Sequence, residues 1–358
     1  ARLLPMSDCA SRHDTSLSDR IDAMTTRLTQ ERNGLSDLIA SIGDELSIGK
    51  GEKIEELEHT VRTLRDEYFS QRAAHLRQYV GLEDADPTER LKQVAAKLVE
   101  QAPSPEALTK PAIAAVFTAH PTFALADHVY ALMAERASNP EAPLPCLTTH
   151  RRSAPPTLAD EQSLALAAVL RGRDALDELT TSLIEKMTSR WANEADHVDP
   201  SPVILASWVG FDTDGRNDIG WWDTIRIRLE LKLAQLERLE SGLTELRLQD
   251  TSLAMRVRRA MEAVRTQHAA CPRSKSATPE DIRDFAQTLI AHREKALLDA
   301  KELQPFFRDA ASGLEASDAL RLRTLRAGFM SHGLGIAHIH TRLNAAQIYN
   351  VARPRLGL

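Results

Sequence analysis

Apolar residues recur every three or four positions along most of this chain, the spacing of helices that bury one face. Between Ser18 and Ala40 the stripe is Ile21, Met24, Leu28, Leu35, Leu38 and Ile39. Between Glu52 and Tyr79 it is Ile54, Leu57, Val61, Leu64 and Tyr68. A third helix is expected over Asp86–Gln101, with Pro87 and Thr88 near its start. Further helical stretches are expected at Asp160–Thr188, Trp221–Gln249, Ser252–His268, Thr278 to about Ala311, and Ser317–Ser331. Thr278-Pro-Glu-Asp281 is a helix start, with threonine at the N-cap and proline at the first helical position.

The helical period breaks at three places. Pro111-Ala-Ile-Ala-Ala-Val-Phe117 is a short apolar run closed by Thr118-Ala-His-Pro-Thr122. Pro202-Val-Ile-Leu-Ala-Ser-Trp-Val209 runs into a small acidic loop, Gly210 to Gly215. Gly335-Ile-Ala-His-Ile-His340 ends in Thr341-Arg-Leu-Asn344. Short apolar runs bounded by proline, glycine and polar residues suit fully buried parallel strands. The fold expected is therefore mainly α with a few parallel strands. Residues 1–110 read as an N-terminal helical region, and residues 111–358 as strands separated by long helical insertions. Residues 140–156, with Pro140, Pro143, Pro145, Pro155 and Pro156, read as an irregular connection.

Composition narrows the class. Apolar residues at 42% and charged residues at 27% fit a globular chain. A net charge of −6 argues against a nucleic-acid or anionic-membrane binder. No apolar run approaches the about 18 residues of a membrane span, and no secretory signal pattern is visible. Cys9, Cys146 and Cys271 are odd in number, far apart and without metal spacing, which suits a reducing, cytoplasmic compartment. Ser47-Ile-Gly-Lys-Gly-Glu52 lacks the spacing of a phosphate-binding loop.

Each strand candidate ends in polar residues of the kind that do chemistry. His120 sits between Ala119 and Pro121, and the proline pushes it out of helical geometry. An imidazole there can shuttle protons near neutral pH or bond a phosphate; the bland alternative is a packed histidine. Asp212 and Asp214, with Gly215 to let the loop turn, could bind a hard cation or orient basic groups. On the residues alone, a turn with carboxylate-to-backbone bonds is favoured there. Arg342 can fork onto phosphate or carboxylate, although a lone arginine is more often a surface ion-pair partner. His338 and His340 share a strand face but lack a third metal ligand, so a structural role is expected. Trp208, Trp221 and Trp222 are expected to pack.

At these residues the sequence resembles phosphoenolpyruvate carboxylase. Val116-Phe-Thr-Ala-His-Pro-Thr122 is similar to that family's T-A-H-P-T motif. Residues 202–215 are similar to its S-W-x-G-G-D-R-D-G segment. Arg151-Arg152 followed by Pro156-Thr157 and Asp160-Glu161 resembles its basic pair, P-T and D-E. Gly333-Leu-Gly-Ile-Ala-His-Ile-His-Thr-Arg342 stands in the place of its F-G-L-x-L-x-x-L-D-I-R segment. The four likenesses run in the family's order over residues 111–342.

The resemblance implies the N-terminal part of a helix-rich α/β barrel of the TIM type. It implies carboxylation of phosphoenolpyruvate by bicarbonate, with carboxyphosphate and an enolate as intermediates and oxaloacetate and phosphate as products. His120 matches the histidine that assists carboxyphosphate breakdown, Arg342 an arginine that holds substrate phosphate, and Asp212, Asp214 and Gly215 the acidic loop. It also implies Mg2+, a cytoplasmic location and a homotetramer. The family's metal-binding carboxylates and catalytic lysine have no match here, so this chain alone is expected to be inactive. Five departures stand out: Phe123 for a glutamate, Phe211 for a glycine, Thr213 for an arginine, Arg216-Asn217 for Asn-Pro, and His340 near where an acidic residue is common before the arginine. They leave open a non-catalytic helical scaffold or regulatory protein derived from the family.

Overall fold

A computed structural model describes residues 51–81, 86–117, 125–145, 152, 154, 156–212, 218–274, 276–341 and 345–357. The helix expected at residues 18–40 lies outside them. The described chain is mainly helical, with one small parallel sheet of three strands. The helices are α1 (Gly51–Val80), α2 (Pro87–Gln101), α3 (Asp127–Ser138), α4 (Leu158–Trp191), α5 (Trp221–Glu245), α6 (Ser252–Ala269), α7 (Pro279–Ala291), α8 (Gln304–Ala310), α9 (Ala316–His332) and α10 (Ala345–Leu356). The strands are β1 (Ile113–Phe117), β2 (Val203–Ser207) and β3 (His338–Ile339).

The chain divides into two compact units. The first comprises residues 1–84 with 124–153. Its described core is Phe69 of α1 and Val129 of α3, flanked by Leu125, Leu132 and Met133. Helix α3 is not expected from the sequence reading. Its twelve residues are too few to hold a helix alone, and packing on α1 supplies what propensity does not.

The second unit comprises residues 85–123 with 154–358. Helix α2 therefore belongs with the strands, because its face of Ala95 and Val99 packs on Leu179, Leu183 and Met187 of α4. Asp86 caps α2 by accepting from the Thr88 amide at 3.0 Å. Helices α5 to α9 close a larger core around Leu236, Leu243, Leu253, Val257, Phe307 and Phe329.

Strand order is β1-β2-β3, all parallel. One face packs on Val169 of α4, Ile227 and Leu231 of α5, and Phe211. Two expected elements differ. The third strand is two residues long rather than six, because Ile336 bonds away from the sheet: its amide donates to Leu231 O at 3.0 Å. The helix expected from Thr278 to Ala311 is broken between Ala291 and Gln304. Buried Leu297 turns the chain there with φ +63°, and Lys232 donates to its carbonyl at 2.7 Å. Arg256 binds the carbonyls of Lys295 and Glu294 at 2.7 and 2.9 Å. These side chains take up carbonyls that a continuous helix would use.

Candidate functional site

The register of the sheet fixes where its chemistry starts. Phe117 pairs with Ser207, and Ser207 pairs with Ile339. The last residues of all three strands therefore stand level at one end of the sheet. His120 follows β1 by three residues and Arg342 follows β3 by three. Asp212 follows β2 by five. His120, Asp214, Gly215 and Arg342 themselves lie outside the described residues, as do Phe123 and Thr213.

The path from β2 to Asp212 is described in full, and a glycine makes it possible. The Phe211 amide donates to Trp208 O at 2.8 Å, closing a turn. Gly210 sits in that turn at φ +78°, where a side chain is strained. A Cβ there would also run into Ile227 Cδ1. Ser207 Oγ accepts from the Val209 amide at 3.2 Å, and Thr224 Oγ1 donates to Gly210 O at 2.8 Å. Phe211 is buried against the sheet core. Its departure from the resembled motif is thus a packing residue, and the turn keeps the one glycine whose backbone requires it.

His332 is a residue that sequence reasoning missed. It is buried at the end of α9, and its Nε2 accepts the Leu205 amide at 3.1 Å. That amide belongs to β2 but lies outside the two-residue pairing with β3, so the ring substitutes for a strand. Accepting at Nε2 requires a neutral ring with its proton on Nδ1, which faces Ser331 Oγ at 2.9 Å and Gly328 O at 3.3 Å. Burial, with Arg173 and His338 nearby, pushes its pKa down to about 3. In the sequence, His332 before Gly333 reads only as a basic residue in a last helical turn. His338 bonds Ser331 O at 2.9 Å, the structural role expected of it. The neighbouring His340 is exposed, and its amide donates to Ser207 O at 3.0 Å.

Two further cations are shifted by burial. Lys232 is pushed down to about 8, with Glu302 partly offsetting the loss of water. Arg173 is pushed down to about 10. Cys271 is a buried thiol whose Sγ faces Trp222 O at 3.6 Å, and burial raises its pKa. Trp221 packs edge-on to Trp222 and stacks on Phe285, as expected of packing tryptophans. A cavity of about 700 Å³ opens between the last turns of α4 and helix α9, lined by Ile184, Thr188, Phe307, Leu320, Arg323 and Arg326. None of its walls comes from the strand ends.

The described residues do not fit a metal site. No three His, Cys, Asp or Glu side chains among them gather closely enough to hold an ion. No described helix is long and apolar enough to cross a membrane. No protein-family model matches the chain, and no curated protein matches it.

Proposed function

We propose that residues 111–342 form the first strands of a phosphoenolpyruvate carboxylase barrel, and that the level ends of β1, β2 and β3 open on its substrate site. The observation that carries this reading is the parallel order β1-β2-β3 with Phe117, Ser207 and Ile339 in one row. In α/β barrels the reacting groups follow the C-terminal ends of the strands, because the loops there converge. Three of the four motif segments of the resemblance run along β1, β2 and β3 and on past that end.

In this reading Arg342 holds the phosphate of phosphoenolpyruvate by a forked pair of hydrogen bonds. A bicarbonate oxygen attacks phosphorus, the bond between phosphorus and the enol oxygen breaks with its electron pair left on that oxygen, and carboxyphosphate and an enolate result. His120 assists the breakdown of carboxyphosphate to carbon dioxide and phosphate. The enolate carbon then takes up carbon dioxide to give oxaloacetate. Asp212, Asp214 and Gly215 line the site. Mg2+ supplies Lewis-acid chemistry in the resembled family, and the residues described here do not provide its ligands. A homotetramer in the cytoplasm belongs to the same reading.

The second reading is a non-catalytic helical scaffold. Thr213 and Phe123 favour it, because they remove charges that the resembled motif places near an anionic substrate. Titration with phosphoenolpyruvate separates the two. A carboxylase half-site binds it and loses at least about tenfold in affinity, or about 1.4 kcal/mol, in Arg342→Ala. A scaffold is indifferent to that change. The chain by itself should form no oxaloacetate in an assay coupled to NADH oxidation by malate dehydrogenase, and turnover would overturn the reading of an incomplete site.

A further inference from the structure

Strand β3 pairs with β2 through only two residues, Ala206 with His338 and Ser207 with Ile339. So short a ladder specifies register weakly, and a two-residue slip would move whatever follows by roughly 6.6 Å at about 3.3 Å per residue. Something other than the ladder must hold it. Arg173 on α4 is 2% exposed, and its guanidinium reaches the link between α9 and β3. Nη2 donates to Gly328 O at 2.8 Å. Nη1 donates to Ile336 O at 3.0 Å and to Gln235 Oε1 at 3.1 Å. Gln235 of α5, also 2% exposed, donates in turn to Gly333 O at 3.0 Å. Three carbonyls around the end of α9 and the start of β3 are thus held from two other helices.

The chemistry of this pair is unusual for a core. Among the described residues no carboxylate is hydrogen-bonded to Arg173, and its buried Nε has no partner. Asp177, the acid that acts most strongly on Arg173, is engaged by Arg238 at 2.7 Å. A buried cation without a bonded counter-charge costs stability that apolar side chains would not. What it supplies is direction, since a planar fork fixes several carbonyls at once.

We propose that Arg173 and Gln235 are positioning residues: they set the register of β3 against β2, and β3 leads into the segment that the carboxylase reading assigns to substrate phosphate. The last clause rests on the carboxylase reading, and the register itself does not.

Hydrogen exchange of the whole chain tests the register. The His340 amide, bonded to Ser207 O, reports it directly. Arg173→Met and the milder Gln235→Leu should each lower protection at His340 by about tenfold or more, with helix α6 amides unchanged. Arg238→Met is the control. It removes ties from α5 to Asp174 and Asp177 without touching the link before β3, and should leave His340 protected. Unchanged protection in the first two variants, or equal loss in the control, overturns the proposal. Phosphoenolpyruvate titration then addresses the substrate clause. Binding by the wild-type chain that weakens about tenfold in Gln235→Leu supports it. Absence of wild-type binding overturns the carboxylase reading and that clause with it, and the exchange result decides the register separately.

Discussion

Protonating His332 removes the lone pair that accepts the Leu205 amide, so the folded chain resists the proton down to about pH 3. An unfolded chain accepts it near pH 6.5. The folded-state value is depressed, so the stabilisation is complete above the unfolded value and is lost as pH falls from about 6.5 towards 3. The slope from this group is about 1.4 kcal/mol per pH unit. Denaturant titrations at pH 7 and pH 5 should differ by about 2 kcal/mol more in the wild type than in His332→Gln. Equal differences would mean the ring does not hold the strand as a neutral acceptor. At Gly210 the constraint is steric. Gly210→Ala meets both a left-handed backbone and the Ile227 side chain, and should cost more than about 1 kcal/mol in the denaturant midpoint. Ile227→Ala in the same chain should make the two changes less than additive.

The elements begin and end where local chemistry closes them. Thr157 Oγ1 caps α4 by accepting from the Asp160 amide at 3.2 Å, and Asp160 accepts from the Thr157 amide at 2.8 Å. Thr278 and Asp281 repeat the device at α7. Thr157 and Asp160 of the resemblance therefore have a sufficient structural reason to be where they are. Thr157→Ala should destabilise by about 1 kcal/mol and fray the first turn of α4 in hydrogen exchange. The same capping signal was legible at Thr278 in the sequence. The break after α7 was not, because it depends on Lys232 and Arg256 reaching in from α5 and α6, distant in sequence. The shortness of β3 has the same origin, in Leu231 and Arg173.

In the second unit the largest core joins five helices, α5 to α9, through buried side chains. Leu253 is 0% exposed at the start of α6. Leu253→Ala should cost about 2–5 kcal/mol, since a close-packed core relaxes only partly around a hole. The loss should appear in the unfolding of α5, α6 and α9 together. A loss confined to α6 would mean that these helices do not share one core. The candidate site depends on this body in a specific way. The three strands are short, and helices α4, α5 and α9 supply both the packed face and the side chains that complete the sheet's bonding.

From sequence alone came most of the described helices, though not α3 or α10, the three strand positions, and the residues that follow each strand. Those follow from local rules: apolar period, caps, and proline or glycine punctuation. His120, Asp212, Asp214, Gly215 and Arg342 were singled out in this way, each just past a short apolar run; of the three runs expected to be buried, β2 alone has buried residues, whereas β1 is exposed at Ile113 and Ala114 and half-buried beyond them, and β3 is half-buried. Tertiary structure decided the strand order, the level ends of the sheet, and the roles of His332, Arg173 and Gln235. Each of these is a contact between residues far apart in the chain, such as Arg173 with Ile336 or His332 with Leu205. The identity of a buried arginine or histidine does not say which backbone group it will meet. Only the packing of the helices brings that group within hydrogen-bond reach.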